Sequence, residues 1–236
     1  MVMLNGLELN DTKSKEITNQ GVVRRVSLIA ASISELFSVL PPATESIPEK
    51  SKRELATLLL HSNILNTFGL LDCWAHIWVN EYGVKHKNGR QLHNSEIGLG
   101  PKCKIFRRSL PSSLGDYLSQ RNDWIERISK LRHSLAHRVP PYIPPHMVDP
   151  GNEKMYNRLN ADWFSTLDSN ARGNLETELN NISHFKAWLI YDLEESPPIA
   201  FHAQLIVNFL TIEELSNIFL SEIRKRNIRR LRNGKT

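Results

Sequence analysis

Apolar residues recur at three- and four-residue intervals along most of the chain, the period of α-helices laid against a core. Val22, Val26, Ile29, Ile33, Leu36 and Leu40 predict a first helix over residues 12–40, stopped by Pro41-Pro42. A second helix is predicted over 48–82, opened by Ser46 and Pro48 and closed by Gly83. It carries Leu55, Leu58, Leu59, Leu65, Phe68, Leu71, Trp74 and Trp78 on several faces, so it should run through the middle of a bundle. Residues 84–111 read as an irregular loop with Gly89, Gly98, Gly100, Pro101 and Pro111; a loop this long in a compact domain is more often functional or mobile than accidental. A short helix over 112–119 precedes a third long one over 121–138, with Trp124, Ile128, Leu131 and Leu135 as its core stripe. Pro140-Pro141-Tyr142-Ile143-Pro144-Pro145 is then extended, a rigid brace over the helix end.

Further helices are predicted over 152–166, 171–192 and 201–229, with Trp188, Leu189, Phe201, Leu205, Phe209, Ile212, Leu215 and Phe219 supplying their apolar faces. The sequence carries no convincing strand pattern and no internal repeat. The fold class expected is all-α, a bundle of about six to seven helices. Residues 1–150 form a helical core and 151–236 pack C-terminal helices on it and end in a basic tail, or the two make one continuous domain.

With 40% hydrophobic and 23% charged residues over 236 positions, the chain has an ordinary globular balance that argues against wholesale disorder. No apolar run approaches the roughly 20 residues that span a bilayer, so no membrane partner is expected. Met1 to Asn10 lack a basic start followed by an apolar stretch, and Cys73 and Cys103 form no metal-type pair. The expectation is a cytoplasmic, reducing setting, with Cys73 a buried small residue.

The net charge of +5 is unevenly spread: residues 101–138 hold nine Lys/Arg against three Asp/Glu, and 222–236 hold seven against one. Residues 149–195 carry nine acids against four bases. Segregated positive charge suits a polyanion such as RNA. The run Lys225, Arg226, Arg229, Arg230 and Arg232 reads first as a solvated helix end, where cations also complement the dipole.

The most informative chemistry is Arg132-His133-Ser134-Leu135-Ala136-His137. It resembles the Arg-x(4–6)-His motif of the HEPN superfamily of helical domains (higher eukaryotes and prokaryotes nucleotide-binding), in which a polar residue such as His133 often follows the arginine. The wider stretch Leu131 to Pro145, with Leu71-Asp72-x-x-Ala75-x-x-Trp78 and Ser109-Leu110-Pro111, is similar to a group of bacterial all-helical proteins of no established function. The superfamily resemblance implies a HEPN-like core and a metal-independent endoribonuclease that needs no cofactor, in the manner of a toxin or defence effector, with an antitoxin or inhibitor protein as a further partner. It implies that Arg132, His133 and His137 are catalytic.

The residue types suit that chemistry. A histidine near neutrality can take a proton from the RNA 2′-hydroxyl, and an arginine can hold a phosphate oxygen as charge builds on phosphorus. His133 would orient the phosphate or protonate the leaving oxygen. DNA lacks the nucleophile. Lys130, Arg138, Arg107 and Arg108 are the candidate RNA-binding residues. On an intact helix, Arg132 and His137 lie roughly 140° apart. They converge if the helix end unwinds before Pro140 or if a second protomer completes the site, and the resemblance implies the latter, a homodimer with this helix near its two-fold axis.

Other readings stay open. Arg132 pairs with Glu126 or Asp123; His137 caps a helix end; His133, His137 and nearby His146 hold zinc, although no His-Glu-x-x-His motif is present. The alternative function is a non-catalytic HEPN-like module that binds RNA or a protein partner. Trp74, Trp78 and Trp124 follow core spacing rather than that of base-stacking platforms, and Gly98-Leu99-Gly100 is too short for a phosphate loop.

Overall fold

The computed structural model describes residues 8–137, 139–191 and 197–233, with side chains through Arg229. It is an all-α bundle with, among the described residues, two very small sheets. A first helical run comprises α1 (Thr12–Glu16), a π-helical turn (Ile17–Val22) and α2 (Val23–Val39). The long α3 (Lys50–Tyr82) follows, then α4 (Lys104–Ser109), α5 (Ser112–Gln120), α6 (Asn122–His137), α7 (Glu153–Ser165), α8 (Ser169–Asn181) and α9 (Phe201–Asn233).

Helix α3 is the axis of the molecule. It packs against α1, α2, α6 and α9, which is why its apolar residues point in several directions. Trp74, Ala75, Ile77 and Trp78 have no exposed surface at all. Polar pins set the register of its neighbours. Asn63 Nδ2 donates to Ser32 Oγ of α2 at 3.0 Å, and Trp74 Nε1 to Ser216 Oγ of α9 at 3.0 Å. Glu81, buried near the C-terminal end of α3, accepts the backbone N–H of Asn10 and of Asp11 (2.9 Å), tying down the entry to α1. Asp11 itself caps α1 through Ser14 N–H at 2.7 Å. Gly83 ends α3 in the left-handed region (φ 59°), where a side chain would be strained.

The long helices fall where their periodicity puts them. Three predicted features differ. Within 84–111, Phe106 is fully buried and anchors α4, while the preceding turn is held by Glu96, which accepts His93 N–H at 2.8 Å and lies 3.1 Å from His86 Nε2. The helix expected over 171–192 stops at Asn181. Every residue of α8 is at least partly exposed, so prolonging it would carry Phe185 and Leu189 away from the core. Instead the chain extends, and both are buried. Short antiparallel pairs result: β1 (Met147–Val148) with β2 (Ser183–His184), and β3 (Trp188–Leu189) with β4 (Ile199–Ala200). The first pair clasps the base of the α7–α8 hairpin. Leu55, Leu58 and Leu65 of α3, expected among the core positions, are exposed.

The proline segment after α6 is a brace, as its composition suggests. Ile143 is buried, Tyr142 exchanges backbone hydrogen bonds with Ile190 at 2.8 and 2.9 Å, and Pro141 O lies 2.6 Å from His61 Nε2 of α3. The hydrophobic core is continuous from α2 and α3 through α6 to α9. No helix among the described residues is long and apolar enough to cross a membrane. Replacing Trp74 by alanine removes a stacked ring (5.5 Å from Phe219) and leaves the Ser216 hydroxyl without its indole donor. The expected loss is about 3–5 kcal/mol of unfolding free energy in a urea titration.

Candidate functional site

Helix α6 buries Ile125, Ile128, Leu131 and Ser134 and is clamped to α9 by Trp124 Nε1, which donates to Asn208 Oδ1 at 2.9 Å. Steps of about 100° per residue from buried Leu131 carry Arg132 to one flank and His133 and His137 to the outer face. All three motif residues are exposed. The imidazoles of His133 and His137, one turn apart, sit with ring centroids 5.0 Å apart. The helix is unbroken through His137, so unwinding does not bring Arg132 and His137 together within one chain.

Arg132 makes no ion pair with Glu126 or Asp123. Its guanidinium lies over the Phe68 ring of α3, 5.5 Å from the centroid, and its charge acts on Asp72, one turn further along α3. His146, the third histidine of the zinc reading, lies 2.8 Å from Tyr156 Oη instead. Among the described residues, no group of three His, Cys, Asp or Glu side chains is placed to hold a metal ion.

Beside the motif, a cleft of about 760 Å³ opens between α3, the 94–103 loop and α6. Phe68, Leu71, Leu99 and Ile125 give it apolar patches; Glu126, Ser129, Lys130 and His133 stand on its α6 side, Asn94, Ser95 and Lys102 on its loop side, and Tyr191 also lines it. Asp72 faces into it. Burial raises the Asp72 carboxyl from an ordinary 3.8 to about 6, against the opposing pull of Arg132 and Arg25. Arg25 comes from α2. It donates to Asn66 Oδ1 at 3.2 Å and lies across Gly69, where a Cβ would collide with the guanidinium; the missing side chain is what lets it approach Asp72. Cys103 lines the same cleft and Cys73 lies behind Asp72; both thiols are raised, chiefly by burial, and stay protonated at neutral pH.

The candidate RNA-binding residues separate. Lys130 stands at the cleft and Arg108 is exposed. Arg107 is turned inward: Nη1 donates to Asn122 Oδ1 at 2.7 Å, Nη2 is buried without a partner among the described residues, and burial lowers its pKa. It steadies the start of α6. Arg138 lies outside the described residues. In the C-terminal run, Lys225 pairs with Glu222 at 2.8 Å and Arg226 lies over Trp78 and Tyr82, 4.5 and 4.6 Å from their centroids. Arg229 is exposed, and the side chains of Arg230 and Arg232 lie outside the described residues.

Comparison with known proteins returns no match: no protein-family model, curated protein or solved structure is significantly similar to the chain. The site therefore stands on its own geometry. Asp72 belongs to the stretch that carries the wider resemblance, yet no residue pattern gives it a role there. A signal was present, because Asp72 is the sole Asp, Glu, Lys or Arg between Glu54 and Glu81. A lone charge in a helix buried on several sides has to be either paired or functional.

A carboxyl that binds its proton more tightly folded than unfolded costs stability once ionised. Here the cost is absent below about pH 3.8, grows as pH rises and is complete above about 6. Asp72→Asn should therefore raise the unfolding free energy at pH 7.5 by about 1–3 kcal/mol and have little effect near pH 3.5, as read by urea unfolding at the two pH values.

Proposed function

We propose that the protein is a HEPN-like, metal-independent endoribonuclease. The observation that carries this reading is the display of the motif: Arg132, His133 and His137 stand exposed on a rigid helix beside a cleft, with no ion pair or hydrogen bond to another described residue that would explain them as scaffold. His137 takes the proton of a 2′-hydroxyl, whose oxygen attacks the adjacent phosphorus. Arg132 holds the non-bridging oxygens as their charge grows. The 5′-oxygen leaves with a proton, supplied by His133, and a 2′,3′-cyclic phosphate remains. The separation of roughly 140° on α6 requires Arg132 and His137 from two protomers, so the active form is a homodimer with α6 near the two-fold axis. Leu58 and Leu65, 64% and 46% exposed, lie on the same side of α3 as Phe68 and supply apolar surface for that contact. The basic residues Lys130 and Arg108 guide the RNA backbone. An antitoxin or inhibitor protein that covers the motif is a fitting partner for such an activity.

The test is incubation of purified protein with mixed cellular RNA in EDTA, beside the His137→Ala variant. The wild type should leave cyclic phosphate ends, and the variant should be slower by about 10²-fold or more. Salt-sensitive RNA binding without cleavage by either protein would favour a non-catalytic RNA-binding module; neither binding nor cleavage would sink both readings. Sedimentation should give a dimer mass that Leu65→Lys shifts toward the monomer.

A further inference from the structure

We propose that the cleft beside the motif is a guanine pocket, in which the Asp72 carboxylate receives the N1–H and N2–H of the base while Phe68 and Leu99 cover its faces. This rests on the reading of the protein as an RNA-acting one and names which nucleotide it holds.

Two features of the cleft carry the argument. First, Asp72 accepts no hydrogen bond from the described residues, yet it is half-buried and faces the cleft. Buried carboxylates ordinarily have donors, so this one offers two oxygens to whatever enters. Second, the volume of about 760 Å³ and a lining that sets Phe68, Leu71, Leu99 and Ile125 beside several polar groups match a small-molecule site in which Asp72 is one of the orienting groups. At neutral pH Asp72 is mostly ionised and so accepts only. Among the RNA bases, guanine alone presents two neighbouring donors on its Watson–Crick edge. Adenine and cytosine each set a donor beside an acceptor, and uracil flanks its single N–H with two carbonyls, so each would turn an oxygen or a bare ring nitrogen toward the carboxylate. Arg25 and Arg132 neutralise the carboxylate's field without forming ion pairs that would occupy its oxygens. Lys130 and His133, on the α6 side, are placed for the phosphate of the bound nucleotide and lead toward the motif.

The charged and titratable groups around Asp72 come from α2, α3, α6, the 94–103 loop and the segment that carries Tyr191. They are Arg25 of α2; Glu126, Lys130, Arg132 and His133 of α6; Lys102 and Cys103 of the loop; and Tyr191, with Cys73 adjacent in α3. Protonation of Asp72 converts a double acceptor into a donor–acceptor pair and abolishes the match.

The experiment is isothermal titration of the full chain with GMP, AMP, CMP and UMP at pH 7.5, repeated with GMP at pH 5. GMP should bind at least tenfold more tightly than the other three and about tenfold more weakly at pH 5. N1-methyl-GMP, which lacks one of the two donors, should lose that tenfold advantage, and this comparison needs no variant. Asp72→Asn should lose both the GMP preference and its pH dependence while melting no lower than the wild type, and guanosine, which carries no titrating phosphate, should weaken at pH 5 as GMP does. His137→Ala should bind GMP undiminished, so that failure of cleavage and failure of the pocket remain distinguishable. Equal affinity for the four nucleotides, no nucleotide binding, or full GMP affinity in Asp72→Asn would overturn the assignment.

Discussion

The structure depends on the burial of the C-terminal half of α3, residues 66–82, on almost all sides. A helix of this length with apolar residues all around cannot lie on a surface, so the remaining elements have to surround it. Once they do, each polar atom drawn inside needs a partner, and those partners decide the registers. Ser32 meets Asn63, Ser216 meets Trp74, and Glu81 receives the backbone at the entry to α1. The alternatives to these pairings leave buried donors or acceptors unpaired, so the apolar driving force supplies compactness and the polar pins supply uniqueness.

The same burial creates the chemically unusual point of the molecule. Asp72 sits on α3 where solvation is poor, and two arginines approach it without closing on it. Arg132 is partly occupied by the Phe68 ring, and Arg25 reaches across Gly69 toward Asn66. The result is a carboxylate that is charged at neutral pH at a cost in stability. Groups that a fold could have made more stable by neutralising are where function is to be sought.

The motif helix stands in a complementary relation to that point. α6 is clamped to α9 through Trp124 and Asn208 and steadied at its start by Arg107, so its outer face is a rigid platform. His133 links the two regions. It is a motif residue, a neighbour of His137 and part of the cleft wall. The brace formed by the proline segment, held by His61 and Ile190, follows the motif directly and packs its own apolar residues into the bundle.

Periodicity by itself determined the helical class and the positions of the long helices, because an amphipathic repeat reports which faces are apolar whatever they pack against. Residue types and spacing likewise singled out Arg132, His133 and His137, since a motif consists of nothing else. Periodicity did not determine that Leu55, Leu58 and Leu65 lie outside, because it marks a face as apolar without saying whether another helix covers it. Nor did it foresee the small strands after Asn181, whose short apolar stretch is ambiguous until Phe185 and Leu189 find their place in the core. Only the tertiary structure decided that Arg107 is a scaffold residue and that Asp72 faces a cleft between two arginines from different helices. Burial, and with it the pKa of a carboxyl, is set by segments far apart in the chain, and no local pattern encodes that distance.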